Sequence, residues 1–122
     1  MITAIHPCRN VQDEYHTQDP VSFPRTARTA YFIAPKELLG IERHNREKGH
    51  EIRVIYHSHV DTGAYFSEED QRMALAEGRP AYPGVSYLVI SVRQGKTQEA
   101  ALFEWGEEKK SFFQDPAKRV DI

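Results

Sequence analysis

The sequence predicts an α/β domain, an α+β arrangement in which a mixed sheet carries flanking helices. Three observations predict it. Apolar, β-branched runs at residues 51–57, 85–92 and 98–105 have the length and composition of strands. Two polar stretches carry helix start and stop signals, one opening at Pro35 and one at Ser67. The resulting order, β-β-α-β-α-β-β-β, mixes the two element types along the whole chain and shows no internal repeat.

Each element has a local reason. Residues 2–6 are short, apolar and β-branched and stop at Pro7, which predicts a strand. Residues 9–20 are polar without a clear period and predict a loop. Val21, Ser22 and Phe23 predict a second short strand ahead of Pro24, and Tyr31, Phe32 and Ile33 form a third short apolar run. Pro35 suits the first position of a helix, where a missing N–H costs nothing. Leu38, Leu39 and Ile41 give that helix a narrow apolar face, and Gly49 supplies its stop. Ser67 reads as the N-cap of a second helix, with Glu68, Glu69 and Asp70 favoured in its first turn by the helix dipole. Gly78 and Pro80 are expected to end it. Gln94-Gly95 predicts a tight turn between the strands at 85–92 and 98–105, and residues 111–113 a last strand. One domain is expected over residues 1–113, followed by a frayed tail over 114–122.

Composition bounds the function. Apolar residues make up 39% and charged residues 28% of the 122, ordinary for a globular domain. A formal charge of −2 gives no field that argues for nucleic acid or an anionic membrane as partner. Cys8 is the single cysteine, which rules out an internal disulfide and every cysteine-rich zinc site and points to a reducing compartment. No apolar stretch approaches the roughly 18–20 residues of a membrane span, and the N-terminal residues lack the pattern of a signal peptide. The cytoplasm is the expected location.

The chemistry concentrates in His57-Ser58-His59 and the segment that begins at Ser67, read together as His-x-His-x7-Ser-x2-Asp. Strand side chains alternate faces, so His57 and His59 point the same way and can chelate one metal ion. Asp70, at the start of the following helix, can supply a third donor. Two imidazoles and a carboxylate suit Zn2+, whose catalytic sites use three protein ligands and a water. Ser67 is too weak a ligand to be the fourth, but its hydroxyl can donate to a developing oxyanion.

From Ile52 to Asp70 the chain resembles the JAMM signature of the MPN-domain metalloproteases, with all four motif positions matched by His57, His59, Ser67 and Asp70. The resemblance extends to the helix through Met73-Ala74-Leu75-Ala76 and the strand that follows, and in a looser way to Asn10 and Phe23. It implies an MPN/JAMM-like fold of cytidine-deaminase-like architecture. It also implies a zinc-dependent peptidase or isopeptidase acting on the C-terminal tail of a ubiquitin-like or sulfur-carrier protein. In that family a catalytic Glu lies on an early strand, followed within a few residues by Cys-Gly, and this sequence has no such stretch. The chain is expected to begin just after it, so the domain reads as N-terminally incomplete. A zinc-binding module that binds a ubiquitin-like partner without cleaving it is the alternative.

Other residues carry weaker signals. Glu14 is the nearest upstream candidate for the general base, in a polar, loop-like setting. Glu37, Glu42 and Glu47 fall on the expected solvent side of their helix. His16, His44 and His50 have no spaced partner, and Cys8 has no base beside it, so surface imidazoles and an inert, half-buried thiol are expected. Tyr65 and Phe66 read equally well as the wall of a substrate groove or as core anchors. Without the family's first elements an exposed strand edge or apolar patch is expected, and with it a homodimer or low solubility.

Overall fold

A computed structural model of the chain describes residues 2–114, so the predicted tail lies, past Gln114, outside the described residues. The chain divides into two compact units, Met1–Ile52 and Arg53–Ile122.

The first unit holds two helices, α1 over Gln12–Gln18 and α2 over Pro35–Lys48. Several expectations fail in it. Residues 2–6 form no strand, and Ile2 and Ile5 stand exposed. β-branching alone does not satisfy a strand's backbone, which needs a partner ladder. Residues 9–20 contain α1 rather than a continuous loop. Contacts from outside the helix fix its start: Val11 N–H donates to Phe32 O (2.9 Å), and the Gln12 amide donates to Arg25 O (2.8 Å). Val21 to Phe23 sit in a turn, where Phe23 N–H reaches back to Asp19 O (2.9 Å) and Phe23 packs on Tyr15 and Phe32. Asn10 ties the unit together. It makes an isolated bridge with Ile33, and its side-chain oxygen accepts from Gln12 N–H and Phe32 N–H, both at 3.0 Å.

Helix α2 begins at Pro35 and ends at Gly49, as predicted. Gly49 takes the left-handed conformation at φ 69° and donates to Asn45 O. Its apolar face is narrower than expected, because Leu39 is exposed beside half-buried Leu38 and Ile41. Glu42, expected on the solvent side, is half-buried.

The second unit is a four-stranded mixed sheet with one covering helix. Strand β1 runs over Val54–Val60, helix α3 over Glu68–Ala74, and a small hairpin pairs β2 (Leu75–Ala76) with β3 (Arg79–Pro80). Strands β4 (Ser86–Arg93), β5 (Lys96–Gly106) and β6 (Ser111–Gln114) follow. The sheet order is β1-β4-β5-β6, with β1 parallel to β4 and the other pairs antiparallel. The parallel pair needs a crossover, and α3 with its hairpin provides it.

Two boundaries differ from expectation. Strand β1 starts three residues later than predicted, which places both histidines inside it rather than at its end. Helix α3 stops at Ala74 instead of reaching Gly78, because Glu77 (φ 53°) and Gly78 (φ 78°) form the tight turn of the β2–β3 hairpin. The turn at Gln94 (φ 52°) and Gly95 (φ 73°) is the one predicted, and it sets the β4–β5 hairpin.

One face of this sheet forms the core. Tyr87, Val89 and Ser91 are almost fully buried on β4, with Ala101 and Phe103 beside them on β5 and Phe112 on β6. His57 is in register with Val89 and His59 with Ser91, so both imidazoles rise from this same face. Phe66 closes the core as it enters α3. Its ring lies 5.1–5.3 Å from those of Tyr87, Phe103 and Phe112.

Candidate metal centre

Alternation along β1 presents His57 and His59 side by side, with ring centroids 5.2 Å apart. The third residue comes from the N-terminus of α3. Ser67 caps that helix, accepting Asp70 N–H at Oγ (3.0 Å), while Asp70 Oδ2 accepts Ser67 N–H (3.0 Å). This reciprocal capping box fixes the Asp70 rotamer before any ligand arrives. Glu69, also buried, is held by Arg72 one turn on, through contacts of 3.1 and 2.5 Å.

The three side chains meet. His57 Nε2 lies 3.0 Å from Asp70 Oδ1, and His59 Nε2 lies 3.0 Å from Asp70 Oδ2. All three side chains are withdrawn from solvent, with 8, 13 and 3% of their surface exposed for His57, His59 and Asp70. Burial alone would raise the Asp70 carboxyl pKa. Hydrogen bonding from His57, His59 and the Ser67 backbone prevails and holds it well below the usual carboxylate range. The hydrogen bond to Asp70 raises His59 above its ordinary value, against the opposing effect of burial.

His59 also has a defined orientation. Its Nδ1 is 3.1 Å from Gly63 O, and a carbonyl can only accept, so Nδ1 carries a hydrogen and Nε2 is the nitrogen turned to the cluster. The loop that contains Gly63 is tied to the core strand through Ser91 Oγ, which donates to Thr62 O. Gly63 and Ser91 escaped the sequence reading. A small polar residue inside the apolar run at 85–92 was the one signal for Ser91, and only the β1–β4 register gives it meaning.

Among the described residues, one group of His, Cys, Asp and Glu donors can hold a metal ion: His57, His59 and Asp70, each offering an atom within 4.8 Å of the others. Zinc accepts nitrogen and oxygen donors of this kind, and each imidazole faces its own oxygen of Asp70 at 3.0 Å. The donor set therefore fits a divalent cation that accepts nitrogen and oxygen.

The other candidates fall elsewhere. Glu14 sits on α1, in the first unit, in an ion pair with Arg9. Glu37 Oε2 accepts Arg9 N–H at 3.0 Å. His16 Nδ1 bonds Phe23 O (2.7 Å), while His44 makes edge-on ring contacts with His6 and His50. Cys8 is half-buried, and burial followed by the nearby Glu37 charge raises its thiol pKa, which suits an inert role. The two readings of Tyr65 and Phe66 divide between them. Phe66 is a core anchor, and Tyr65 is exposed with its ring 5.0 Å from that of His59. No helix among the described residues is long and apolar enough to cross a membrane.

Comparison with solved structures finds a similar fold in the solution structure of a protein from Salinibacter ruber. The TM-score is 0.59 at 22% identity, over 98% of this chain and 67% of that one. No curated protein matches. A family profile, Prok-JAB, described as prokaryotic homologs of the JAB domain, matches residues 2–105. The mixed sheet with its helices is the architecture of that family, and the fold is that of a JAMM-type metallopeptidase. Since the match runs over most of the sequence and takes in the His–His–Asp cluster, the chain belongs to the Prok-JAB family of JAMM/MPN domains.

Proposed function

We propose that this chain is a zinc-binding JAMM/MPN module, with His57, His59 and Asp70 as ligands, that engages the C-terminal tail of a ubiquitin-like or sulfur-carrier protein. The observation that carries the reading is the convergence of buried Asp70 and half-buried His57 and His59, from two separate elements, with donor atoms within 4.8 Å of one another. A divalent cation would add a positive charge beside the buried, ionised Asp70. Tyr65, exposed against His59, offers an apolar wall to an extended tail.

Binding without cleavage is favoured because, among the described residues, the donor cluster is His57, His59 and Asp70 and includes no glutamate to serve as general base. A specific feature supports the second reading, a zinc-dependent peptidase or isopeptidase. Ser67 Oγ accepts from Asp70 N–H and so keeps its own hydrogen to donate to a developing oxyanion. Zinc, when bound, supplies a water of lowered pKa and polarises a carbonyl.

Two measurements test this. Elemental analysis should give about one zinc per chain, lost in the His57→Ala/His59→Ala double variant. No uptake by wild type on titration overturns the zinc reading. Incubation with a ubiquitin-like protein extended past its terminal Gly-Gly, followed by mass spectrometry, then separates the two activities. An intact but bound extension supports the binding module, and a released one supports the peptidase.

A pH dependence follows from the raised His59 pKa. Zinc must displace the Nε2 proton, so the rise in Tm on adding zinc should be larger at about pH 8 than at about pH 6. In metal-free protein the sign is opposite. The stabilisation from the charged His59 is fully present below its unfolded value, about 6.5, and is lost as pH rises through the higher folded value. Thermal scans with and without zinc at both pH values check both signs. An equal or smaller zinc effect at the higher pH would contradict His59 as a ligand.

A further inference from the structure

We infer that Glu99, an exposed residue of β5, is a positioning residue for the metal centre, acting on His59 through a single peptide group of the intervening loop. The inference rests on the reading of His59 as a ligand. Glu99 Oε1 accepts the N–H of Ala64 at 3.0 Å, and His59 Nδ1 donates to the carbonyl of Gly63 at 3.1 Å. Gly63 C=O and Ala64 N–H are the two ends of one peptide bond. That group is planar, so anchoring the N–H fixes the direction of the C=O. The order is carboxylate, peptide, imidazole, with Nε2 left facing His57 and Asp70.

The sheet register makes the link possible. His59 pairs with Ser91, and Ser91 pairs with Glu99, so the three lie in one row on the same face. Two strand spacings, about 10 Å, separate the backbones of Glu99 and His59. The loop spans that gap. It is already tied at Asp61, whose N–H donates to Val92 O (2.8 Å), and at Thr62, whose carbonyl accepts Ser91 Oγ. Both ties precede Gly63; after it, Glu99 holds Ala64 N–H, and Tyr65 N–H donates to Gly63 O (3.1 Å). A Cβ at Gly63 would stand 3.3 Å from Glu99 Oε1, so the residue that carries the carbonyl is also one that lets the carboxylate come close.

The physical consequence is twofold. A negative charge on the N–H end polarises the amide and strengthens its carbonyl as an acceptor. A stronger acceptor at Nδ1–H holds the ring in one tautomer and makes Nε2 a better donor to a metal, the role that hydrogen-bonded carboxylates and carbonyls play behind metal-binding histidines.

The test is zinc affinity, measured by chelator competition on the full chain, with the metal-free Tm recorded beside it. Glu99→Ala should weaken zinc binding about 10-fold while leaving the metal-free Tm within about 2 °C of wild type, since the side chain is exposed. Glu99→Gln keeps an oxygen acceptor for Ala64 N–H and should restore affinity to within about 3-fold. In the zinc-loaded protein, nitrogen-15 spectra should show His59 Nδ1–H exchanging faster with solvent in Glu99→Ala than in wild type or Glu99→Gln. Equal zinc affinity in wild type and Glu99→Ala overturns the inference and leaves the metal reading standing. A parallel fall in affinity and metal-free Tm also overturns it, as a merely structural role would produce that. Failure of wild type to take up zinc overturns both.

Discussion

Asp70→Ala should abolish the zinc-induced rise in Tm and lower the metal-free Tm as well. The two effects have separate causes. A ligand that binds only the folded state stabilises it by RT ln(1 + [L]/Kd), about 2.7 kcal/mol at one hundred times Kd. For a domain of this size that corresponds to a rise of roughly 10 °C. Removing the carboxylate leaves two imidazoles as donors, and the zinc-dependent part disappears. The metal-free loss arises because Asp70 also closes the capping box on Ser67 and faces both histidines. Loss of a cap costs about 1 kcal/mol, and leaving buried polar groups without their acceptor costs about 1–3 kcal/mol more. Asp70→Asn separates these contributions. Its side-chain oxygen can still accept Ser67 N–H, so the metal-free Tm should recover in part, while the charge that attracts the cation is gone. Calorimetry with and without zinc decides, and a zinc-dependent shift as large in Asp70→Ala as in wild type would remove Asp70 from the ligand set.

The cluster of His57, His59 and Asp70 was legible in the sequence because it depends on parity and on a cap. His57 and His59 share a face whatever the exact ends of their strand, so a three-residue error in placing β1 left the prediction intact. Asp70 was legible because Ser67 with a carboxylate three residues on is a local signal, complete within four positions. The parts that were not legible depend on partners distant in sequence. Residues 2–6 have the composition of a strand and no ladder among the described residues. Helix α1 is seven residues long and mostly polar, too short to be stable on propensity alone. Its start is set instead by Phe32 and Arg25. The orientation of His59 is of the same kind. It is decided by Gly63, and the loop around Gly63 is held by residues of β4 and β5 some thirty positions away, whose register no local pattern reveals.

Phe66→Ala should cost about 3–5 kcal/mol, a large share of the 5–15 kcal/mol that holds a domain of this kind folded. The reason is its place in the core. Its ring stacks on Phe103 at 24° and lies against Tyr87 and Phe112, so truncation opens a cavity lined by three aromatic rings that cannot collapse without moving strands. Tyr65, one residue earlier, is the internal control. It is 52% exposed, and Tyr65→Ala should change stability by no more than about 0.5 kcal/mol. Urea midpoints of the two variants test the contrast, and similar losses in both would show that the division of roles between neighbours is wrong. The consequence reaches the metal centre because Phe66 directly precedes the cap of α3. With the ring gone, Ser67 loses its anchor to the sheet and Asp70 its fixed distance from His57 and His59. Zinc affinity should therefore fall in Phe66→Ala even at urea-free, fully folded conditions. Phe66→Leu, which refills most of the volume, should restore stability to within about 1.5 kcal/mol of wild type and bring zinc affinity back with it. Tyr65→Ala should leave zinc affinity near that of wild type, since its ring touches His59 on an exposed flank and holds none of the backbone that presents the three donors.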